Sequence, residues 1–254
     1  MDNRYRTAVR AALALGTVAA LMSCAPSDPW QTARTAENRG MFDKAQQAYA
    51  EMLAASAQPR SFPDRNQVPN LTPEQFLEQV GGFVDWIRAA PTPPDSSVRL
   101  AMEGLERCSS NVKQITFSTL PVPKPLTLDD YRELWHTSFF PDFVPLHEAQ
   151  DPLIQTCHGQ PVPFVRITAR KSYSYEGFLV QRETGRAVAV SIYYEGSAFI
   201  PVRPGRHLLV IRAKTQFASG STWTSPYSVI SLQVPDKAVL YPFTLNTTVE
   251  RNVK

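Results

Sequence analysis

Cysteine and histidine are the side chains in this sequence best suited to nucleophilic or metal chemistry. The four histidines are His136, His147, His158 and His207. Cys157 is adjacent to His158, but neighbouring residues of an extended chain point to opposite sides, so this histidine is poorly placed as a base for the thiol. The sequence has no CxxC or HxxxH spacing, and it has no GxSxG, HExxH, P-loop or GxGxxG motif. We therefore expect no metal, no cofactor and no enzymatic activity.

Another reactive side chain, Cys24, follows a segment with the features of a leader. Residues 4–10 carry three arginines and no acid, and residues 11–22 form an apolar run that is too short to span a bilayer as a helix. The run leads into Leu21-Met22-Ser23-Cys24. This order of charge, apolar run, small residue and cysteine resembles the bacterial lipoprotein signal, in which Met22 is a less usual residue.

The resemblance implies that residues 1–23 are a signal peptide and that Cys24 becomes the first residue of the mature chain. Diacylglycerol on the Cys24 thiol, together with an acyl chain such as palmitate on the new amino terminus, would make membrane anchoring stable. Ala25 stands where an aspartate would resemble an inner-membrane retention signal, which favours the outer membrane, facing the periplasm. An ordinary secretory signal, in which Cys24 is incidental, is the alternative.

The two other cysteines, Cys108 and Cys157, form an even pair once Cys24 is assigned to the lipid. An exported compartment is oxidising, so such a pair predicts a disulfide. The bridge would close a loop of about 50 residues and contribute roughly 3–4 kcal/mol in the chain-entropy description. Two free thiols are the alternative.

Composition and charge exclude some classes of protein. With 254 residues and 43% hydrophobic residues, the chain can bury the core of one large or two small domains. The formal net charge is +3, and Arg4, Arg6 and Arg10 of the leader account for most of it. The remaining basic residues are scattered, so we expect no nucleic-acid partner.

Residues 24–60 carry the anchor and a predicted helical hairpin. Ala45, Tyr49 and Leu53 recur at helical spacing, and Gly40 can adopt the positive φ that ends a preceding helix. Gly40, Phe42, Ala45, Tyr49 and Pro59 together resemble a tetratricopeptide repeat. The first helix lacks the usual aromatic and Leu-Gly features, and the chain has no second copy. Since a solenoid needs about three repeats, a generic helical hairpin is the alternative.

Residues 61–111 are predicted to be a linker followed by helical segments. Residues 57–70 are rich in proline and polar groups and show no periodicity. Thr72-Pro73 is a good helix start, and the apolar stripe behind it ends at Ile87. Ser96 or Ser97 starts another helix, which leads into Cys108.

Residues 112–254 are predicted to form an antiparallel β-sandwich domain, so that the fold class is α+β. The period changes to two at Val112–Phe117, and seven strand candidates follow. They are 163–173, 176–182, 186–194, 197–203, 206–214, 226–234 and 237–249. Turns are predicted at 183–186, 194–197 and Pro204–Gly205. The segment Pro204-Gly205-Arg206-His207 before an apolar strand resembles a motif of envelope lipoproteins and surface β modules, which implies a structural role for His207.

An aromatic segment between the helical part and the regular strands offers a candidate partner surface. Its members are Trp135, Phe139, Phe140 and Phe143. Aromatic side chains are favoured at interface hot spots, but the same residues could instead pin an irregular segment to the core. A mixed cationic and aromatic stretch at residues 170–175 could bind a glycan or an anionic surface, or it could be a solvated strand end.

Together these features predict a membrane-anchored envelope lipoprotein. The leading hypothesis is a non-enzymatic scaffold or assembly factor with protein partners in an envelope machine, such as a secretion, pilus or transport apparatus. A lipoprotein that binds a glycan or a small ligand is the alternative. A periplasmic hydrolase would need His136, His147 or His158 gathered with distant acids.

Overall fold

The computed structural model describes ten segments of the chain. They cover residues 28–62, 73–90, 92–112, 116–117, 124–125, 163–169, 173–193, 196–217, 219–236 and 239–246. Over these segments the protein is a mixed α+β fold with helices in the first part of the chain and two β-sheets. The predicted α+β class is confirmed.

Three of the four helices in the described segments begin where the sequence supplies a side-chain cap or a proline, and the other begins at Phe42 without either. They are α1 (Pro29–Asn38), α2 (Phe42–Ala57), α3 (Pro73–Arg88) and α4 (Ser96–Ser109). The Asp28 carboxylate accepts a hydrogen bond from the Trp30 amide at 3.1 Å, and Asp95 accepts one from the Ser97 amide at 2.8 Å. Each bond satisfies an amide at the start of a helix that lacks an intrahelical partner. Gly40 has a φ of +71°, which lets the chain turn from α1 into α2.

The strands of the described residues fall within the second part of the chain, apart from one short strand. They are β1 (Arg60–Ser61), β2 (Thr116–Phe117), β3 (Lys124–Pro125), β4 (Phe164–Ala169), β5 (Ser174–Gln181), β6 (Ala187–Ile192), β7 (Ser197–Pro201), β8 (Gly205–Gln216), β9 (Thr222–Thr224), β10 (Ser228–Val234) and β11 (Val239–Asn246). Each of the seven predicted strands corresponds to one of these, from β4 to β11. The short β9 is an addition that the sequence did not predict.

The strands form a larger and a smaller sheet. The larger sheet has the order β1, β6, β5, β8, β10, with β9 beside β8, and the smaller has the order β2, β11, β4, β7, with β3 beside β11. Most neighbours are antiparallel, as predicted, but β1 is parallel to β6 and β11 is parallel to β4. The antiparallel prediction is wrong at these two pairs. Their strands come from distant parts of the chain, so no tight hairpin fixes their direction.

The predicted turn at Pro204–Gly205 links strands that do not pair with each other. Strand β7 pairs with β4 in the smaller sheet, whereas β8 pairs with β5 and β10 in the larger one. Gly205 has a φ of +129°, which side chains with a Cβ rarely tolerate. The Pro204 carbonyl accepts a hydrogen bond from Gln181 Nε2 at 3.3 Å. This turn therefore carries the chain from one sheet to the other.

Two hydrophobic cores hold the layers together. One core contains side chains of both sheets, such as Ile167 and Leu209, together with Phe83 of α3. The other lies on the opposite face of the larger sheet, where Leu105 and other residues of α1, α2 and α4 cover Val210 and its neighbours. Successive residues of a strand point to opposite faces, so Leu209 and Val210 of β8 serve different cores.

A hydrogen-bonded polar group, buried at Tyr49 and partly exposed at Arg107, joins the three helices that cover the larger sheet. Tyr49 of α2 is 0% exposed, and its hydroxyl donates to the Glu37 carboxylate of α1 at 2.6 Å. Arg107 of α4 donates to the same carboxylate from Nε at 2.9 Å. The Arg107 hydrogen bond lowers the pKa of Glu37, while burial and the Glu37 contact raise the pKa of Tyr49 to about 12. Every member has a partner, so the group stabilises the helical layer.

The predicted linker over residues 57–70 is wrong at Arg60–Ser61. These two residues form β1, which pairs with Val188 and Ala189 at the edge of the larger sheet. The chain thus enters the sheet directly after α2. A two-residue strand has no detectable period, and its partner lies more than a hundred residues later, so no local pattern predicts it.

Candidate functional site

Most of the residues to which the sequence assigns a role lie outside the described segments. They are Cys24, Trp135, Phe139, Phe140, Phe143 and Cys157. His136, His147 and His158, which the hydrolase hypothesis requires, lie outside them as well. The lipid attachment, the partner surface and the histidine cluster therefore stay predictions.

Cys108 is the one predicted site cysteine within the described segments. It lies near the end of α4, is 0% exposed, and belongs to the core between the helices and the larger sheet. It is a free thiol in the structure, and burial raises its pKa to about 11. A thiol with this pKa is a poor nucleophile at neutral pH. Because Cys157 lies outside the described residues, the disulfide between them stays a prediction.

His207 has the structural position that its motif implies. It lies near the start of β8, is only 3% exposed, and its Nδ1 is 3.3 Å from the carbonyl oxygen of Gly205. Burial lowers the pKa of His207 to about 4, so the imidazole is neutral at pH 7. It supports the turn at Pro204–Gly205, and it also lines a pocket.

This pocket lies where one end of the shared core meets the last turn of α3. It encloses about 270 Å³, including solvent space at its mouth. The apolar part of its wall comes from Ile87, Leu179, Val188 and Val202 and neighbouring residues. The polar part comes from Gln181, Arg186, Arg203 and His207, and Trp86 supplies an aromatic face. Much of this space is open solvent, and the enclosed part has room for roughly one water molecule, so the pocket is far smaller than usual small-molecule sites, which are about 300–1,000 Å³.

Two arginines of the pocket hold the C-terminal end of α3. Arg186 donates to the carbonyl oxygens of Ala89 at 2.7 Å and Ala90 at 3.1 Å, and Arg203 donates to Ala89 O at 2.8 Å. The last carbonyls of a helix lack intrahelical donors and carry the negative end of its dipole, so cations stabilise them. The two side chains therefore fasten α3 to β6 and to the segment after β7.

A third arginine, Arg60 of β1, lies beside the pocket. Its Cζ is 4.8 Å from the centroid of the Trp86 ring, which is cation–π distance. Burial lowers the pKa of Arg186, and the like charges of Arg203 and Arg60 lower it further. Among the described residues, no ion pair joins any of these three arginines to a carboxylate. The site is therefore positive, with an apolar wall.

Sequence reasoning missed this arginine group because its members are far apart along the chain. The structure brings together β1, the β5–β6 turn, the segment after β7 and the end of α3, and no spacing rule connects them. The predicted turn at 183–186 is confirmed, and Gly185 in it has a φ of +69°. That turn delivers Arg186 to the site, and His207 was the one lining residue that the sequence singled out.

The described segments were also searched for a metal site and for a membrane-spanning helix. Within them, no group of three or more His, Cys, Asp or Glu side chains is placed to hold a metal ion. No helix of that part of the chain is long and apolar enough to cross a membrane. Comparison of the chain with protein-family models, with curated proteins and with solved structures finds no match.

Proposed function

We propose that this protein is a lipid-anchored lipoprotein of the bacterial envelope that acts as a non-enzymatic scaffold or assembly factor. In this proposal Cys24 carries the lipid in the outer membrane, the chain faces the periplasm, and its partners belong to an envelope machine such as a secretion, pilus or transport apparatus. The order of charge, apolar run, small residue and cysteine in residues 4–24 supports the anchor.

The short distance between the anchor and α1 bears on the orientation. Four peptide steps separate Cys24 from Asp28, and an extended chain covers at most about 3.6 Å per residue. The start of α1 would therefore lie within about 15 Å of the lipidated residue. The helical layer, rather than the sheets, would be the part of the fold next to the membrane surface.

We also propose three finer features of the fold: a β-sandwich, a helical hairpin and a single integrated body. The two sheets share one core, which supports a β-sandwich. Helices α1 and α2, joined at Gly40 and packed through Tyr49, support a hairpin of the tetratricopeptide type. Strand β1 and the core beneath α1, α2 and α4 join the helical and β parts, which supports one integrated body rather than separate domains.

The single observation that carries the scaffold proposal is the exposed face of α1. Ala33 and Ala36 are buried against the other helices, while Gln31, Thr35 and Asn38 are exposed. Residues three and four apart share one helix face, so the exposed three form a continuous row opposite the buried alanines. We call this row the α1 face. It is polar and exposed, so a partner could reach it without any change in the packing of the helices.

Site-specific photocrosslinking in intact cells tests this assignment. A photoreactive amino acid placed at Gln31 or at Thr35 should give one adduct of defined mass, because a docked partner lies within reach of the α1 face. The same amino acid at Thr222, which is exposed on β9, is the matched control and should not give that adduct. The Cys24→Ser form should lose the adduct, because in this proposal the lipid anchor brings the α1 face to its partner.

Two results would contradict the scaffold proposal. One is the absence of any discrete adduct from the α1 face in cells that contain the anchored protein. The other is an equal set of adducts from Thr222, which would show random collisions. Either result would favour the second candidate, a lipoprotein that binds a glycan or a small ligand, for which the positive charge of Arg60, Arg186 and Arg203 beside Trp86 is the supporting observation.

A further inference from the structure

Two buried aromatic side chains of the smaller sheet belong to neither of the two cores. Phe164 of β4 is 0% exposed and Phe199 of β7 is 6% exposed, whereas the core that the two sheets share takes their sequence neighbours Val165 and Ile200. Successive residues of a strand point to opposite faces. Phe164 and Phe199 therefore lie on the outer face of the smaller sheet, away from the larger sheet, and contacts other than those of the two cores bury them.

The buried part of this outer face is limited to one end of the sheet. Arg166 of β4 is opposite Phe199, and its Cζ is 5.3 Å from the centroid of the Phe199 ring. We call Phe164, Arg166 and Phe199 the outer patch. Ser197, on the same face but at the other end of β7, is exposed, and so is Pro242 of β11. The outer patch is therefore covered from the end of the sheet at which β4 begins.

Residues 126–162, which lie outside the described segments, leave and re-enter the smaller sheet at this same end. Pro125 of β3 is opposite Val239 of β11, and Phe164 of β4 is opposite the next residue, Leu240. Strands β3 and β4 flank β11, so the two ends of this stretch of chain lie about 10 Å apart. The inner face of the sheet is filled by the shared core, so the outer face is the nearest surface open to residues 126–162.

The composition of this stretch matches the outer patch. Its aromatic residues include Trp135, Phe139, Phe140 and Phe143. Aromatic rings pair favourably with other rings at centroid distances of about 4.5–7 Å. The stretch also has six acidic residues against one basic residue, which complements the positive charge of Arg166. The last eight residues, 247–254, contain no aromatic residue and follow β11 at the opposite end of the sheet.

We propose that residues 126–162 pack against the outer patch, with their aromatic side chains on Phe164 and Phe199 and a carboxylate beside Arg166. The aromatic segment then serves the protein's own fold rather than a partner surface, which is the second of the two roles that its sequence allows. This packing depends neither on the lipid anchor nor on the α1 face, so its failure would leave the scaffold proposal standing.

Photocrosslinking within the purified full-length chain tests this contact. The photoreactive residue p-azidophenylalanine, which keeps the aromatic ring, is placed at Phe199, and the same residue at Ser197 is the matched control on the exposed end of the face. After irradiation and proteolysis, mass spectrometry should find peptides that join position 199 to residues 126–162 of the same chain. Position 197 should give such peptides in several-fold lower yield. Thermal unfolding followed by circular dichroism shows whether both variants are folded.

Oxidative footprinting of the unsubstituted protein provides a second measurement that does not depend on the folding of a variant. Hydroxyl radicals oxidise the aromatic rings that solvent reaches. Phe217 is 52% exposed and is the matched control of the same residue type. In the folded protein Phe139, Phe140 and Phe143 should be oxidised several-fold more slowly than Phe217, and in the unfolded protein the four rates should be similar.

Three results would overturn the proposal. The first is a folded Phe199 variant that gives no crosslink to residues 126–162. The second is a crosslink between two chains, of twice the monomer mass, which would assign the outer patch to a second copy of the protein. The third is oxidation of Phe139, Phe140 and Phe143 as fast as that of Phe217, which would favour the partner-surface role of the aromatic segment.

Discussion

The contact between Gly104 of α4 and Tyr49 of α2 makes a sharp prediction about packing of the helical layer. A Cβ at Gly104 would lie 2.5 Å from Cε1 and Cζ of the Tyr49 ring and 2.6 Å from Cδ1. Carbon atoms in contact normally lie about 3.5–4.0 Å apart, so the ring would have to move by about 1 Å. Tyr49 is fully buried and its hydroxyl is bonded to Glu37, so it cannot swing into solvent.

The substitution Gly104→Ala therefore combines two opposing terms. Alanine in a helix interior is favoured over glycine by about 1 kcal/mol. Forcing an extra methyl group into a packed core costs about 1–3 kcal/mol. We expect the Gly104→Ala protein to lose up to about 2 kcal/mol of unfolding free energy. At about 2–4 °C per kcal/mol, this is a lowering of the melting temperature by several degrees.

Gly82→Ala in α3 is the matched control, because a Cβ at Gly82 would meet no atom within 4 Å. Only the propensity term acts there, so this protein should gain about 0.5–1 kcal/mol. Urea unfolding followed by far-UV circular dichroism measures both changes as shifts in midpoint at constant slope. If both substitutions stabilised the protein equally, the described packing of Tyr49 on Gly104 would be refuted.

The remaining predictions concern single buried side chains. Gln46 of α2 is 0% exposed, and both polar atoms of its amide lack a hydrogen-bond partner. Gln46→Leu should therefore raise the unfolding free energy by about 1–3 kcal/mol in the same urea assay. A lower unfolding free energy would show that the Gln46 amide makes hydrogen bonds in the folded protein. His207 has a folded pKa of about 4 against an ordinary 6.5, so the unfolded chain binds the proton first. About 3 kcal/mol of stability should thus be lost as the pH falls from 6.5 to 4, and His207→Asn should flatten that part of the profile. Finally, unfolding without reductant followed by maleimide labelling and peptide mass analysis should leave Cys108 and Cys157 unlabelled if the predicted disulfide forms, whereas labelled Cys108 would show the free thiol.

The sequence predicted the elements of the fold better than their arrangement. Strands β4 to β8 were visible because alternation and turn residues are local signals, and Pro73 and Gly40 marked where helices begin and end. Which strands pair with each other is not determined by the residues next to them in the sequence. The turn at Pro204–Gly205 has the same chemistry whether it closes a hairpin or moves the chain between sheets, so the sequence could not show that β7 and β8 belong to different sheets.

The candidate site was predictable only in part, for a similar reason. His207 could be recognised from its motif, and its structural role follows from burial at the start of β8. Arg60, Arg186 and Arg203 lie in three separate segments, and each taken alone resembles a solvated surface residue. Their grouping depends on β1 joining the sheet in parallel and on α3 ending at this point, which are long-range pairings that no periodicity encodes.

The central claim, that the chain is anchored through lipid on Cys24, is tested most directly by intact mass combined with membrane fractionation. The native protein and its Cys24→Ser form would be expressed side by side. We predict that the native protein starts at Cys24, carries the mass of diacylglycerol and a further acyl chain, and sediments with membranes, whereas the Cys24→Ser form carries no acyl mass and does not. A native protein that is soluble and free of acyl mass would contradict the account, and Cys24 would then count as a third exported thiol.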